Sequence, residues 1–143
     1  MTIAIVEEYP GPSPHKIRRR LGRLLRELGY AGHGLSVCLT DDEGIRRLNR
    51  DFRDRDASTN VLAFPDTPLA LGQPRYLGDL VLSLPTVERE AAEQGQETGY
   101  LLYFYLTHGL LHLLGFDHEK GPAEERAQEE ETLRLMALIR HDP

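Results

Sequence analysis

Apolar and polar residues alternate along the chain in a pattern that predicts nine regular elements, in the order β-α-β-α-β-β-α-α-α. Short runs rich in Val, Ile and Leu predict strands at residues 2–9, 35–39, 61–64 and 76–84. Helical periodicity predicts helices at residues 14–28, 40–52, 84–96, 97–114 and from 122 onward. This order predicts an α+β fold, a small mixed sheet of about four strands with one internal parallel pair, covered by about five helices.

Local signals predict the start and the buried face of several helices. Ser13 followed by Pro14 predicts the start of the first helix, and residues 40–43 (TDDE) form a predicted capping box that opens the second. In the second helix we expect three residues to face the core, namely Ile45, Leu48 and Phe52. In the last helix the spacing favours Leu133, Met136, Ala137 and either Ile139 or the stem of Arg140.

The fourth predicted helix is apolar on almost every side, which is typical of a helix buried inside a fold. The apolar run at 100–116 is 17 residues long and contains two histidines. That length is marginal for crossing a bilayer. We therefore expect no membrane segment, and we interpret this helix as a buried one with a metal site at its end.

Three histidines lie close together in the string HGLLHLLGFDH at residues 108–118. His108 and His112 lie about 40° apart on one face of a helix, so both imidazoles can reach one point. A continuous helix would carry His118 roughly 9 Å further along the axis, whereas a zinc–nitrogen bond is only about 2.0–2.1 Å long. The helix must therefore end and turn back, and Gly115 is the residue that can adopt the required left-handed conformation.

A lone histidine on an apolar helix face is more often a core residue than a ligand, and a pair at this spacing can arise by chance. Three histidines with a glycine at the turn instead favour a metal site, with one Zn²⁺ per chain. Three protein ligands leave a fourth position for water or substrate, as in catalytic rather than structural zinc sites.

Length and composition are typical of a single globular domain over residues 1–143. The single cysteine, Cys38, excludes an intramolecular disulfide and favours a reducing, cytoplasmic setting. Its place in an apolar strand favours a packed thiol over a reactive one. No basic and apolar leader opens the sequence, so we expect no export signal.

The formal net charge of −6 is unevenly distributed. Residues 1–60 hold 11 Lys and Arg against 9 Asp and Glu, whereas residues 61–143 hold 6 against 14. Basic patches can bind phosphates even on an acidic protein. The cations of the first helix form either a solvated face or a surface for an RNA backbone: Lys16, Arg18, Arg19, Arg20, Arg23 and Arg26.

The histidine spacing is that of the zinc proteases with an H-E-x-x-H-x-x-G-x-x-H motif, but Gly109 stands where those proteases have their catalytic glutamate. The full string instead closely resembles the signature of the YbeY family of metal-dependent endoribonucleases and rRNA maturation factors. Two further segments are similar to that family, NRDFRDRD followed by STNVLAFP at residues 49–65, and LGDLV at residues 77–81. Ala63 stands where the family usually has serine.

This resemblance implies a zinc-dependent, single-strand-specific endoribonuclease that acts in rRNA processing, at the 3′ end of 16S rRNA, and in ribosome quality control. It implies single-stranded RNA, the small ribosomal subunit and ribosome-assembly proteins as partners. It also places Arg53 at the family's catalytically implicated arginine, a choice over Arg50 and Arg55 that the sequence alone does not make. Asp117 either orients a ligand or accepts a proton, or it caps the helix or pairs with Lys120.

Zinc held by three imidazoles lowers the pKa of its water to about 7, and the hydroxide can attack a phosphodiester or a carbonyl. A phosphodiester additionally needs a cation to stabilise the developing charge, for which Arg53 is the candidate. Two alternatives remain. One is a metallopeptidase-like hydrolase, which Gly109 disfavours, and the other is a non-catalytic ribosome-assembly factor with structural zinc.

Overall fold

The computed structural model describes residues 3–65, 76–116 and 120–140. Its strands are β1 (Ile3–Glu7), β2 (Gly34–Thr40), β3 (Val61–Pro65) and β4 (Tyr76–Ser83). Its helices are α1 (Pro14–Glu27), α2 (Asp42–Arg53), α3 (Leu84–Gln94), α4 (Thr98–Leu113) and α5 (Pro122–Ile139). The predicted order of elements and the α+β class are therefore confirmed.

The four strands form one mixed sheet in the order β1-β2-β4-β3. β1 pairs with β2 and β2 pairs with β4 in parallel, whereas β3 pairs with β4 antiparallel. The prediction of one parallel pair was wrong, because there are two. After α2, the chain passes beyond the position of β4 to form the edge strand β3. β4 then returns between β3 and β2, antiparallel to the first and parallel to the second.

Helices cover both faces of the sheet. On one face α1, α4 and α5 enclose the main core, in which leucines such as Leu21, Leu80 and Leu110 are fully buried. On the other face α2 packs over a smaller cluster of Ile45, Leu62 and Val81. β3 and β4 thus lie directly against α4, which places the histidine helix beside the antiparallel edge of the sheet.

The start of α1 is confirmed, whereas two predictions for α2 were wrong. The Ser13 hydroxyl caps α1 by accepting the Lys16 N–H at 3.3 Å. α2 is capped by Asp41 rather than by Thr40, because the Asp41 carboxylate accepts the Gly44 N–H at 2.8 Å while Thr40 still belongs to β2. Phe52 does not face the core.

Phe52 is 71% exposed, since the buried stripe of α2 runs through Ile45 and Asn49 instead. Its ring contacts Phe64 edge to face, with 5.9 Å between the ring centroids. The helical spacing of Phe52 predicted burial, but no described element covers this side of α2.

The buried face of α5 also differs from the prediction. Leu133 is 50% exposed and Ala137 is exposed. The buried stripe contains two polar residues and three apolar ones, Gln128, Thr132, Leu135, Met136 and Ile139. Thr132 satisfies its hydroxyl by donating to the carbonyl of Gln128 at 2.7 Å. Polar residues that are satisfied in this way can be buried at little cost, and a pattern of apolar residues alone does not detect them.

Arg20 was predicted to lie on the charged face of α1, but it is only 8% exposed. Its guanidinium lies 4.5 Å from the centroid of the Tyr103 ring on α4, a cation–π contact. The remaining arginines of α1 are exposed or half-buried. Among the described residues, no helix is long and apolar enough to cross a membrane.

Candidate active site

α4 ends where the sequence predicts. Leu114 is its C-cap, and Gly115 has φ +105°, a left-handed value that favours glycine. The Gly115 N–H bonds the His112 carbonyl at 3.1 Å, and the Phe116 N–H bonds the Leu111 carbonyl at 3.0 Å. This pair of hydrogen bonds is a Schellman motif. The predicted helix break is confirmed, because α4 ends at Leu113 and the chain leaves the helical path at Gly115.

His108 and His112 are both half-buried, and both line one cleft of about 160 Å³ between α4 and β3. Its other lining residues come from the end of α2, from β3 and from α4, namely Arg53, Val61, Leu62, Ala63 and Gly109. The structure therefore brings together three of the five side chains predicted for the site, although Arg53 lies 55 positions before His108 in the chain.

The Arg53 side chain is anchored on β3. Its guanidinium donates a hydrogen bond to the carbonyl of Ala63 and lies 5.1 Å from the centroid of the Phe64 ring. Arg50 instead bonds its neighbour Asp51 at 3.2 Å, and neither Arg50 nor Arg55 is among the described residues that line the cleft. The structure thus separates Arg53 from the two arginines that the sequence could not distinguish from it.

The segment that follows Arg53 is braced by its own polar residues. Asp54 ends α2 in a left-handed conformation with φ 58°. The buried Asn49 donates to the carbonyl of Ala57 at 2.9 Å, and Arg46 bonds Asp56 at 2.7 Å. These contacts hold the segment that leads from the end of α2 to β3.

β3 is held against α3 and α4 by a small polar network. The Asn60 side chain accepts the Val61 N–H at 2.7 Å and donates to Glu90 at 3.2 Å. The Tyr105 hydroxyl donates to the same carboxylate at 2.9 Å. Burial, and then the hydrogen bond to Glu90, raises the pKa of Tyr105 to about 12, so its hydroxyl remains a donor at neutral pH. The network supports the strand that forms one wall of the cleft.

Asp117 and His118, the other two predicted site residues, lie outside the described residues. Within residues 3–65, 76–116 and 120–140, no three His, Cys, Asp or Glu side chains lie close enough together to hold a metal ion. His108 and His112 form two members of the predicted set, and the roles of all five residues stay predictions.

Residues 15–138 match the profile of the family described as endoribonuclease YbeY. The chain belongs to the YbeY family. It is 44% identical over 118 residues to the endoribonuclease YbeY of Chloroflexus aurantiacus, a match that covers 76% of this chain and 77% of the relative. It is 39% identical to the endoribonuclease YbeY of Geobacter metallireducens, with 99% of this chain and 98% of the relative covered. The resemblance seen in the motifs is therefore confirmed.

The fold is also shared with a solved structure. The solution structure of protein TM1509 from Thermotoga maritima superposes with a TM-score of 0.69 at 24% sequence identity. The match covers 96% of this chain and 89% of that protein. At this identity the likeness shows the fold alone.

In this YbeY chain, Gly109 has a packing reason to be glycine. A Cβ at this position would lie 2.9 Å from Cδ2 of Leu80 and 3.6 Å from Cγ2 of Val61. Leu80 is fully buried in β4, so its side chain would have to shift to make room for a larger residue. The glutamate of the zinc proteases would require this rearrangement.

Gln128 of α5 is a site residue that our sequence analysis missed. It is 1% exposed, and its amide nitrogen lies 3.2 Å from the carbonyl oxygen of His108. The same nitrogen lies 3.4 Å from each of the two ring nitrogens of His108. The Gln128 amide therefore contacts both the backbone and the imidazole of His108 and helps to hold this residue in place.

We expect Gln128→Met to weaken zinc binding by roughly tenfold, at the lower end of the loss seen when a residue that supports a metal ligand is removed. Methionine keeps most of the buried volume and removes the amide. Zinc affinity is measured by competition with a chromophoric chelator, and unfolding is followed separately. Leu135→Met, two turns along the same buried stripe, introduces the same side chain away from Gln128; it is the matched control and should leave zinc affinity unchanged. Equal affinity in all three proteins would remove Gln128 from the site.

Asp79 lies inside β4, within the LGDLV segment. Its carboxylate accepts a hydrogen bond from the Tyr76 hydroxyl, and it lines a groove near Cys38 on the face of the sheet that carries α2. Asp79 is not among the described residues that line the histidine cleft.

Burial, and then a hydrogen bond to Glu8, raises the pKa of Cys38 to about 12, which fits a packed rather than a reactive thiol.

Proposed function

We propose that this protein is a zinc-dependent endoribonuclease that cleaves single-stranded RNA. The observation that carries the proposal is the shared cleft, which Arg53 lines together with His108 and His112. Neutral imidazoles suit zinc, and a fixed guanidinium suits a phosphodiester, whose oxygens it can bind with two parallel hydrogen bonds.

His108, His112 and His118 would hold one zinc ion per chain. The described part of the donor set fits zinc by its chemistry, since two half-buried imidazoles line one cleft one helical turn apart. When bound, zinc supplies a Lewis acid that generates hydroxide from water near neutral pH. The chain leaves the helical path at Gly115, three residues after His112, which is the local condition for a third ligand from residue 118.

Arg53 would bind the scissile phosphate and stabilise the negative charge that develops on its oxygens. The hydrogen bond to the Ala63 carbonyl and the contact with Phe64 hold the guanidinium in place before substrate arrives. Such preorganisation avoids reordering the side chain during the reaction. Asp117 would orient a ligand histidine or accept a proton.

The physiological substrate we propose is ribosomal RNA in the cytoplasm, with the 3′ end of 16S rRNA as the processing site and a role in ribosome quality control. The small ribosomal subunit and ribosome-assembly proteins are the proposed partners. Family membership supports an RNA substrate, because the relatives are named endoribonucleases.

The proposal is tested by offering zinc-loaded protein an unstructured RNA and, separately, casein. We expect the RNA to be cleaved and the casein to remain intact. A chelator should abolish cleavage, and added zinc should restore it. Casein cleavage would support the peptidase alternative. Zinc that is retained with no cleavage of either substrate would support a non-catalytic assembly factor.

A further inference from the structure

A second polar cleft lies at the other end of α4, between the starts of α1 and α4 and the end of α5. Its volume is about 430 Å³. None of its described lining residues lines the histidine cleft. Tyr100, on its rim, precedes His108 by eight residues, which is about 12 Å of helix. The two clefts are therefore separate places on one helix.

The second cleft is positively charged. Lys16, Arg20 and Arg140 line it, against the single carboxylate of Glu97. Lys16 and Arg140 form no ion pair with any carboxylate among the described residues. Cations that converge from two helices without a matching number of carboxylates favour an anionic ligand.

Tyr103 supplies a buried hydroxyl at this cleft. The residue is 4% exposed, and no described residue hydrogen bonds its hydroxyl. A buried polar group without a partner usually costs free energy, which makes it a marker for an absent ligand. Burial raises the pKa of Tyr103, so the hydroxyl keeps its proton and can donate at neutral pH.

The first turn of α4 adds backbone donors to the same place. Gly99 and Tyr100 line the cleft, and the N-cap residue Glu97 forms no side-chain hydrogen bond to the helix start. The first N–H groups of a helix have no partner within the helix. A Cβ at Gly99 would meet nothing within 4 Å, so the backbone is open to a ligand at this point. Such helix starts bind phosphate readily.

We propose that this cleft is a phosphate-binding site, in which Lys16, Arg20 and Arg140, the Tyr103 hydroxyl and the first amides of α4 receive one phosphate group. The phosphate comes either from an RNA backbone, as a subsite for substrate away from the histidines, or from a free phosphate or nucleotide. Only the RNA source rests on the proposed function. The phosphate site itself is independent of nuclease activity.

The first test follows backbone amide chemical shifts of the full chain during titration with inorganic phosphate at constant ionic strength. We expect saturable shifts at Gly99 and Tyr100 that chloride does not reproduce. Tyr103→Phe should weaken phosphate binding several-fold without lowering thermal stability, because the deleted hydroxyl has no hydrogen-bond partner among the described residues. A merely structural tyrosine would leave phosphate binding unchanged.

The charges are tested with a matched pair of double variants. Lys16→Gln with Arg140→Gln should weaken phosphate binding by about tenfold or more. Arg47→Gln with Arg126→Gln removes the same charge from exposed positions outside the cleft and should have little effect. Equal weakening in the two double variants would mean that only the overall charge of the protein matters, and it would contradict the proposed phosphate site. Absence of saturable shifts at Gly99 and Tyr100 would overturn it as well.

The source of the phosphate is decided by a parallel titration with a 2′-O-methylated oligouridylate. If RNA occupies the cleft, the same two amides shift. A plot of the logarithm of the binding constant against the logarithm of the salt concentration then becomes less steep in the double variant of Lys16 and Arg140. Its slope falls by roughly 0.7 for each RNA phosphate that the variant no longer neutralises. If phosphate shifts these amides and the oligonucleotide does not, the ligand is a free phosphate or nucleotide.

Discussion

Replacing His112 with alanine is expected to remove most of the bound zinc and, with it, the ribonuclease activity. His112 contributes one of two imidazoles that the structure places in the same cleft. Removing a ligand from a site with three protein ligands should cost more than the 10–100-fold loss typical of a residue that only supports a ligand. Elemental analysis of purified protein and single-turnover cleavage of an unstructured RNA measure the two effects.

The matched control is His15→Ala. His15 is an exposed histidine of α1 that does not line the cleft, so this variant should keep both zinc and activity. His108→Ala and His118→Ala should behave like His112→Ala. Full retention of zinc by all three variants would contradict the assignment of these histidines as zinc ligands. Loss of zinc from His108→Ala and His112→Ala alone would move the third ligand away from His118.

The sequence was sufficient for features that depend on local geometry. Ser13 caps α1, and Gly115 ends α4 with a left-handed φ. Both follow from backbone donors or steric limits that act within a few residues. The spacing of His108 and His112 likewise follows from the helical repeat alone. Predictions of this kind need no knowledge of what packs against the element.

Features that depend on a partner element could not be predicted. Arg20 is buried because Tyr103, on another helix, offers its ring face to the guanidinium. Phe52 is exposed because no described element covers its side of α2. Gln128 is buried because His108 provides an acceptor. Tertiary contacts override the hydrophobic periodicity at Arg20 and Gln128, and at Phe52 the covering element that the periodicity implies is missing from the described residues.

The position of Arg53 lies between these two cases. The family motif marked it, while its charge and exposure did not distinguish it from Arg50 and Arg55. The hydrogen bond to Ala63 explains the difference, because it turns the last side chain of α2 toward β3 and hence toward the histidines. A test of Arg53 therefore separates catalysis from metal binding, since a guanidinium offers no lone pair to a metal.

We expect Arg53→Ala to retain zinc and fold while it slows RNA cleavage by roughly 10²–10³, the loss typical when one preorganised donor is removed. Arg53→Lys should restore activity only in part, because it keeps the charge but not the planar fork. Arg50→Ala, one turn earlier on α2 and outside the cleft, is the matched control and should cleave at the wild-type rate. The measurement is the single-turnover rate of RNA cleavage by each zinc-loaded protein. Equal rates for Arg53→Ala and wild type would remove Arg53 from the mechanism. Arg55 or another group would then have to stabilise the negative charge on the phosphate.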